Sequence, residues 1–423
     1  MFCTCAKLRN ALPNKTNVIS CVRKLLRKDR QAFRTYATRS NAVILGIETS
    51  CDDTAIGVVD DQGNVLGESN HSQLETHNEY GGIIPPIARD LHQQHIDRIA
   101  DQALKECPVP VDEMSAIAVT VRPGMSLSLL VGLNFARRLA AKHGRPLIPV
   151  HHMEAHALAV RLVRRVDFPY LVLLVSGGHC QLAVVRGVDD FLLLGQTMDD
   201  APGETFDKVS RRLKLSNLPE CRGLSGGRAL ELLAERDGGD PMAYPFPEPL
   251  TSYRTCNFSF SGLKNSIYRK IEALEKKHGL EADALLPELA DLCASTQHAV
   301  AYHLVRRTQR ALAFCDQQGL LPEGWGTLVV AGGVAANAHL GRLLSQLCTS
   351  LDVAYVPTPP KLCSDNGLMI AWNGVERWKT ASGIVTENFD SLDITPRCPL
   401  GVDISSSVAE ASIKLDKIKL SIR

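Results

Sequence analysis

Two apolar runs, each followed by a polar turn and a further apolar run, constrain the fold most strongly. Residues 43–47 (VILGI) lead into a polar turn at residues 48–54, and AIGVVD follows directly. Residues 171–185 (LVLLVSGGHCQLAVV) repeat this plan around the turn at residues 176–178. Each unit opens a stretch in which helical and strand patterns alternate, so the sequence predicts a duplicated α/β architecture. Two unrelated hairpins are the alternative.

Further segments fit alternating helices and strands. Residues 126–142 have the pattern of an amphipathic helix, and residues 327–340 that of a strand, a Gly turn and a helix. Residues 237–257 contain two glycines and four prolines, which predicts a long surface loop. Helical patterns dominate residues 261–318.

Length and composition place the chain among globular proteins. Its 423 residues suggest two or three domains, with 45% hydrophobic and 22% charged residues. No run of 18 apolar residues occurs, so the sequence predicts no membrane span. The thirteen cysteines include no CxxC pair, which argues against a disulfide scaffold and a cysteine zinc site and fits a reduced compartment.

The first forty residues differ in charge from the rest. They hold ten Lys or Arg residues and a single acid, Asp29, a composition typical of a mitochondrial transit peptide. A disordered basic arm for nucleic acid or membrane is the alternative. Removal of residues 1–40 leaves 37 basic and 45 acidic residues, a formal net charge of −8. A body this acidic must bind nucleic acid, if it does so, through a local basic patch.

The stretch HHMEAH offers a pair of histidines with metal-binding spacing. His152 and His156 lie four residues apart and share one face of a helix, whereas His151 has no partner at that spacing. In the HExxH motif of zinc proteases the general-base Glu directly follows the first His. Glu154 follows His152 by two residues and points elsewhere. A metal site is compatible with this pattern; a metalloprotease is disfavoured.

Two histidines leave a metal shell incomplete, and a carboxylate is the expected third ligand. Asp365, in the loop Ser-Asp-Asn-Gly ahead of a helical pattern, is the best candidate. The alternative is that Asp365 is simply the N-cap of that helix.

The three polar turns that follow apolar strands suggest a phosphate-bearing ligand between two lobes. They lie at residues 48–54, 176–178 and 332–337, and the glycines of the last two would let backbone N–H groups approach an anion. No GxxxxGK[ST] loop and no GxGxxG strand–helix turn occurs, which disfavours the common nucleotide-binding classes.

Two helical segments concentrate further polar residues. The first carries Asp207 and Lys208; the second places Gly227 at a helix start and Glu231 one turn later. Carboxylates at such positions could accept hydrogen bonds from ribose or other hydroxyl groups of a ligand. The alternative is that both segments are ordinary capped helices whose polar residues face solvent. The basic run formed by Arg211, Arg212 and Lys214 is usually a solvated face, but could meet phosphates.

Nine motifs in fixed order across about residues 43–375 resemble one family. They are GIETSCDDTA, HSQLETHNEYGGIIPPIARDLH, PGMSLSLLVGL, HHMEAH, LLVSGGHCQL, APGETFDKV, FSFSGLK, GGVAANAHL and SDNG. The chain resembles the tRNA N6-adenosine threonylcarbamoyltransferases, formerly called O-sialoglycoprotein endopeptidases or glycoproteases. With its basic leader it is similar to the mitochondrial type.

The resemblance implies a two-lobed α/β fold of the actin, sugar-kinase and ribonuclease H-like type, with the active site in the cleft between the lobes. It implies transfer of threonylcarbamoyl from threonylcarbamoyl-adenylate to N6 of adenosine 37 in tRNAs that read codons beginning with A, with release of AMP. A separate synthase would supply the adenylate. The protein would act as a monomer or homodimer in the mitochondrial matrix. A kinase or ATPase of the same fold and, last, a metalloprotease are the alternatives.

Matching by motif also assigns site residues. The resemblance implies one divalent metal ion, zinc or iron, held by His152, His156 and Asp365. The implied substrate contacts are Leu174, Val175, Ser176, Gly177, Gly178, Asp207, Gly227, Glu231 and Asn337. No general base is assigned.

The predicted domains are a transit peptide (1–40), a first lobe (41–150), a second lobe with the metal and nucleotide sites (151–400) and a loosely packed polar tail (401–423). The chain departs from the wording of the family motifs at Asp53, Pro86, Arg122 and Arg228. Arg228 lies beside Gly227 and bears most directly on the substrate site.

Overall fold

The computed structural model describes residues 41–281, 283–324, 326–416 and 418–422. The predicted transit peptide lies outside these described residues. The ten cysteines in the described part are all free thiols, in agreement with the prediction that no disulfide scaffold is present. Within the same part of the chain, no helix combines the length and apolar character needed to cross a membrane.

The first sheet has five strands in the spatial order β3-β2-β1-β4-β5. Its strands are β1 Val43–Glu48, β2 Asp53–Asp60, β3 Val65–Ser72, β4 Ala116–Arg122 and β5 Leu147–His151. The first three pair antiparallel, whereas β4 joins β1 and β5 joins β4 in parallel. β1 is buried along its whole length, as expected for the central strand of a sheet covered on both faces.

The second sheet repeats this order. Its strands are β6 Tyr170–Val175, β7 Cys180–Val185, β8 Phe191–Gln196, β9 Thr327–Ala331, β10 Ala354–Pro357 and β11 Val402–Asp403. They lie in the order β10-β9-β6-β7-β8-β11, with β6, β7 and β8 antiparallel and β9 and β10 parallel to β6. The predicted duplication is therefore confirmed. The two sheets form the two-lobed α/β fold of the actin and sugar-kinase type.

Helices cover both sheets. In the described part of the chain they are α1 Leu74–Glu79, α2 Pro85–Glu106, α3 Ser126–His143, α4 His152–Leu158, α5 Pro202–Arg212, α6 Gly226–Arg236, α7 Ser261–His278, α8 Leu289–Gln317, α9 Ala338–Ser350, α10 Gly367–Thr380 and α11 Ser405–Ala411. The helix predicted at residues 126–142 is thus confirmed as α3, which ends where Gly144 takes a left-handed φ of 61°.

Helix α10 lies late in the chain but packs on the first sheet. A Cβ added to Gly57 in β2 would stand 2.6 Å from the carbonyl carbon of Gly367, so the strand and the helix approach closely only because both residues lack side chains. Buried side chains of α10, such as Ile370 and Val375, share a core with Ile44 of β1. The chain therefore returns to the first lobe after it has built the second, and a single boundary at residue 150 stays a prediction.

The predicted long loop at residues 237–257 contains no helix or strand, as expected. Arg307 of α8 is almost fully buried and donates hydrogen bonds from Nη1 to the carbonyls of Tyr253 and Thr255 in this loop, both at 2.9 Å. The loop is thus attached to the second lobe through its backbone.

The prediction of a loosely packed tail is wrong for residues 402–411. β11 pairs in parallel with β8, and Val408 of α11 is fully buried. Further along, Arg310 of α8 donates a hydrogen bond to the carbonyl of Ile413. The apolar side chains of Val408 and Ile413 give this segment surface to bury. They do not stand out when the composition is averaged over the whole of residues 401–423, which is mostly polar.

Candidate metal centre and substrate site

His152 and His156 lie on the short helix α4, directly after β5, with both side chains almost fully buried. Their ring centroids are 4.6 Å apart and the rings are perpendicular. Asp365 faces both: its Oδ1 lies 3.0 Å from Nε2 of His156 and 3.5 Å from Nε2 of His152. One potential ligand atom of each residue falls within 4.8 Å of the others. The sequence-predicted trio is thus brought together.

Asp365 is not the cap of the following helix. Asn366 takes that role, because its Oδ1 accepts a hydrogen bond of 2.8 Å from the N–H of Met369. The N-cap interpretation of Asp365 is therefore wrong, and its carboxylate is free to face the histidines. About a fifth of the Asp365 side chain remains exposed.

Glu48 stands behind His152, and the sequence reasoning did not single it out as part of this cluster. Nδ1 of His152 lies 3.1 Å from Oε2 of Glu48 and 3.1 Å from Oγ of Ser50. Glu48 is fully buried at the end of β1 and also accepts a 2.6 Å hydrogen bond from Oγ1 of Thr120. Because a carboxylate only accepts, Glu48 keeps a proton on Nδ1 of His152, and Nε2 is the ring nitrogen that faces Asp365. A carboxylate that ends a buried strand was the available signal.

The electrostatics of the cluster favour a positive charge at its centre. Burial lowers the pKa of His152, but the carboxylates of Asp365 and Glu48 outweigh burial and raise it to about 9. Burial raises the pKa of Asp365, yet His152 and His156 hold it well below its usual value. Two buried carboxylates therefore require a cation between or beside them, a proton or a metal ion.

Glu154 takes no part in the cluster. Its Oε2 accepts a 2.5 Å hydrogen bond from Nη2 of Arg377 on α10, and both side chains are buried. His151 caps α4, since its Nδ1 accepts a 3.2 Å hydrogen bond from the N–H of Met153. These positions agree with the expectation that the histidine pair does not belong to a protease helix.

The turn after β1, residues 49–52, differs from the anion-binding turn predicted for residues 48–54. It contains Asp52, and at the start of β2 burial, Asp365 and Asp52 together raise the pKa of Asp53 to about 7. The turn contacts the cluster directly, since Glu48 and Ser50 both lie 3.1 Å from Nδ1 of His152. The predicted anion role of this turn is wrong, because the segment carries carboxylates and no glycine.

The turn after β6, residues 176–178, has the open backbone expected of a substrate site. A Cβ added to Gly177 or Gly178 would meet no atom within 4 Å. On its inner side the turn contacts the start of α5, where the N–H of Gly203 donates a 3.2 Å hydrogen bond to the carbonyl of Ser176. The next residue, His179, brings its ring centroid to 6.5 Å from that of His152. The turn therefore lies beside the metal-type cluster.

Leu174 and Val175 precede this turn within β6, and their side chains are fully buried. Only their backbone groups can face a ligand. The carbonyl of Val175 stands so close to Gly332, at φ 95°, that a Cβ there would lie 2.4 Å from it. The third Gly turn is thus packed against the second.

The other predicted substrate residues gather where three helices begin or run side by side. Asp207 of α5 accepts a 2.8 Å hydrogen bond from the N–H of Gly226, the residue before Gly227. Oε1 of Glu231 accepts a 2.7 Å hydrogen bond from the N–H of Ala338 at the start of α9. Asn337 caps that helix, accepting a 2.9 Å bond from the N–H of Leu340. The structure thus places these residues in one connected group.

Arg228, one of the departures from the family pattern, acts on this group. Its Nη1 donates a 2.7 Å hydrogen bond to Oε2 of Glu231, while its own side chain is 56% exposed. Glu231 is therefore held from both sides, by Ala338 and by Arg228. A ligand hydroxyl that approaches Glu231 would share its carboxylate with this arginine.

Comparison with known proteins finds relatives that match most of the chain. Residues 64–372 match the family model described as tRNA N6-adenosine threonylcarbamoyltransferase. The mitochondrial tRNA N6-adenosine threonylcarbamoyltransferase of Homo sapiens is 50% identical over 380 residues, which are 90% of this chain and 91% of that protein. The Danio rerio protein of the same name is 48% identical, covering 95% and 98%. The Rhodospirillum rubrum tRNA N6-adenosine threonylcarbamoyltransferase is 42% identical, covering 88% and 98%.

The fold and the cluster define a two-lobed α/β enzyme with a candidate metal centre. The match over most of the chain identifies it further: the chain belongs to the tRNA N6-adenosine threonylcarbamoyltransferase family. It is a transferase that modifies N6 of adenosine in tRNA, and the predicted family is confirmed. The names of the human and zebrafish relatives agree with the predicted mitochondrial location.

Proposed function

We propose that this protein transfers the threonylcarbamoyl group from threonylcarbamoyl-adenylate to N6 of adenosine 37 in mitochondrial tRNAs that read codons beginning with A. In this reaction N6 attacks the carbamoyl carbon, a C–N bond forms, and the bond from that carbon to the phosphate oxygen breaks. AMP leaves, and N6 loses one proton. The reaction takes place in the mitochondrial matrix.

The observation that carries the proposal is the buried trio of His152, His156 and Asp365. Two imidazole nitrogens and one carboxylate oxygen, with further coordination positions left for substrate, are a donor set of catalytic metal sites. The carboxylate of Glu48 behind His152 provides the outer support that such ligands usually have. The residues therefore fit one divalent ion, and the mixed N/O set suits zinc or iron. Such an ion supplies a Lewis acid and an anchor for the polar groups of the intermediate.

The remaining residues bind and orient. The carbamoyl–phosphate anhydride is already activated, so placing the amine close to it provides much of the rate. Residues 176–178 present unhindered backbone beside the cluster, where a polar acyl group can lie against them. The carboxylates of Asp207 and Glu231 accept hydrogen bonds from hydroxyl groups of the nucleotide. Asn337 caps helix α9 and fixes its first residue beside them. The buried side chains of Leu174 and Val175 contribute through their backbone.

Other components follow from the chemistry. Forming the adenylate requires activation of threonine and bicarbonate by ATP, so we infer a separate synthase that hands over the intermediate. We propose a monomer or homodimer as the working unit.

The test combines the purified protein with unmodified tRNA, a threonylcarbamoyl-adenylate synthase, ATP, threonine and bicarbonate. Nuclease digestion and mass spectrometry then measure threonylcarbamoyladenosine, and the bound metal is quantified on the same sample. We expect His156→Ala to lose both the metal and the product, because Nε2 of His156 faces Asp365 directly at 3.0 Å.

His151→Asn is the matched control. Asparagine keeps an acceptor that can cap α4, and His151 lies outside the cluster. This variant should retain metal and product. Product formation by His156→Ala at the wild-type rate would remove the metal centre from the mechanism. ATP consumption by the protein alone, with no modified tRNA, would instead favour a kinase-type enzyme of this fold.

A further inference from the structure

An open concavity lies between the last turn of α5 and the outer face of α7. The residues that line it are Arg212, Asn265, Tyr268, Arg269 and Glu272. The hydroxyl of Tyr268 donates a 3.0 Å hydrogen bond to the carbonyl of Lys208, which fixes the ring against α5. The lining thus combines guanidinium groups, an amide and an anchored aromatic ring, side chains that proteins use on RNA backbones and unstacked bases. The one carboxylate in the lining, Glu272, forms an ion pair of 2.7 Å with Lys276.

The charges around the concavity are only partly neutralised. Glu275 forms ion pairs with both Arg212, at 2.5 Å, and Lys214, at 3.1 Å, so one carboxylate serves two cations. Arg211 and Arg269 are exposed, and among the described residues neither has a carboxylate within ion-pair distance. A surplus of positive charge therefore faces solvent here, although residues 41–423 carry a net charge of −8.

The concavity is connected to the substrate group along one helix. Arg211 follows Asp207 by four residues on α5, so the two side chains share a face. Burial raises the pKa of Asp207, and the hydrogen bond from the N–H of Gly226 and the positive charge of Arg211 oppose that rise. An anionic polymer bound across Arg211 would thus pass directly beside the group that we assign to the nucleotide.

We propose that the concavity lined by Arg212 and Arg269, together with the exposed Arg211 beside it, binds the sugar–phosphate backbone of the tRNA next to the substrate site. The inference rests on the proposed function, because it takes tRNA as the acceptor. A protein with an acidic body needs such a local basic patch to bind nucleic acid at all. Arginine is suited to the task because its planar fork matches a phosphate group with two hydrogen bonds.

The test is the double variant Arg211→Glu/Arg269→Glu of the full chain. Binding of unmodified tRNA is measured without the adenylate, across a range of salt concentrations. We expect the Kd at physiological salt to rise about tenfold or more, and the slope of log K against log salt to become shallower by about one or two. In the coupled assay the KM for tRNA should rise while kcat at saturating tRNA stays near the wild-type value.

Arg164→Glu is the matched control, since Arg164 is also exposed, precedes β6 and lacks a carboxylate partner among the described residues. It should leave tRNA affinity unchanged. Thermal unfolding confirms that each variant is folded. Unchanged affinity in the double variant, or an equal loss in Arg164→Glu, would overturn the proposal and leave the concavity to another anionic partner. A wild-type protein that binds tRNA but never forms the modified nucleoside would refute the proposed function, while the binding comparison still decides this surface.

Discussion

The turns after β1 and β6 occupy equivalent positions in the duplicated fold and have opposite chemistry. Each follows the strand at the centre of its sheet and leads into an antiparallel neighbour. The first turn is entered through Glu48, a fully buried carboxylate engaged with His152. The second presents Gly177 and Gly178, which are exposed and touch nothing on their outer side.

This difference shows how one architecture can provide two functions. Side-chain charge collects at the first turn, where it supports a cation. Side chains are absent from the second, where open backbone leaves room for a ligand. Duplication supplies two similar positions at the ends of central strands, the place where α/β folds collect ligands, and the residues at each position decide what is bound.

The largest effect is expected for Glu48→Gln, which removes the negative charge behind His152 but keeps the size of the side chain. The carbonyl oxygen of the new amide can still accept the Nδ1 proton, but without the negative charge it holds that proton less strongly, so His152 becomes a weaker metal ligand. Metal affinity should fall about 10–100-fold, with a matching loss of activity that added metal restores. Competition with a chelator measures the affinity.

Glu154→Gln provides the contrast, because Glu154 is a buried carboxylate of the HHMEAH stretch that pairs with Arg377 instead. This variant should lower the thermal stability, because the buried guanidinium of Arg377 loses its counter-charge. Its metal affinity should be the same as that of the wild type. The reverse result, metal loss in Glu154→Gln alone, would contradict the assignment of the first turn to the cation.

A medium effect is expected for Gly203→Ala, which disturbs the second turn from behind. The added Cβ would stand 2.8 Å from both the carbonyl oxygen of Ser176 and Cα of Gly177, and backbone cannot move aside cheaply. Stability should fall by about 1–3 kcal/mol. The KM for the adenylate should rise, with metal content unchanged.

Gly177→Ala separates folding from binding at the same turn. Because its Cβ meets no protein atom, this variant should unfold at the wild-type temperature. If the turn lies against the intermediate, its KM should still rise. A wild-type KM in Gly177→Ala, together with a raised KM in Gly203→Ala, would show that the turn acts only as packing.

The smallest effect concerns pH and His179, the residue that follows the second turn. Burial, His152 and His156 lower its pKa from 6.5 to about 4. Between these values the unfolded chain binds more protons at this site than the folded protein does, so stability is complete above pH 6.5 and declines as the pH falls toward 4. In His179→Gln this group no longer titrates. The decline in stability should therefore be shallower by up to one proton, which corresponds to about 1.4 kcal/mol per pH unit. Denaturant unfolding at pH 7.5 and 5 measures the difference; equal losses in both proteins would contradict it.

Much of the site could be predicted from the sequence because it follows local patterns. The four-residue spacing of His152 and His156 places them on one helix face, and Glu154 points away as the helical period requires. The duplicated sheets follow from two similar apolar runs. Asp365 is predicted as the third ligand both from the incomplete histidine pair and from the motif resemblance, and the structure brings it into contact with both histidines.

The missed features depend on contacts between distant segments. Glu48 and His152 are 104 residues apart, and no periodicity connects them. Two kinds of turn follow apolar strands: turns whose backbone faces a ligand and turns whose side chains face inward. Their sequences can be similar. The tail was misjudged for a similar reason, since pairing of β11 with β8 depends on where the second sheet leaves an open edge.

The return of α10 to the first sheet has a consequence for the order of folding. The strands of that sheet leave the ribosome or the import channel long before α10 does, and until then one of their faces lacks its apolar cover. Asp365 stands immediately before this helix, so its contact with the histidines closes a segment of 209 residues. Contacts of such long range form slowly, because the chain must first lose the entropy of that loop. We therefore expect a newly made chain to acquire its metal late, in one cooperative step with completion of the first lobe.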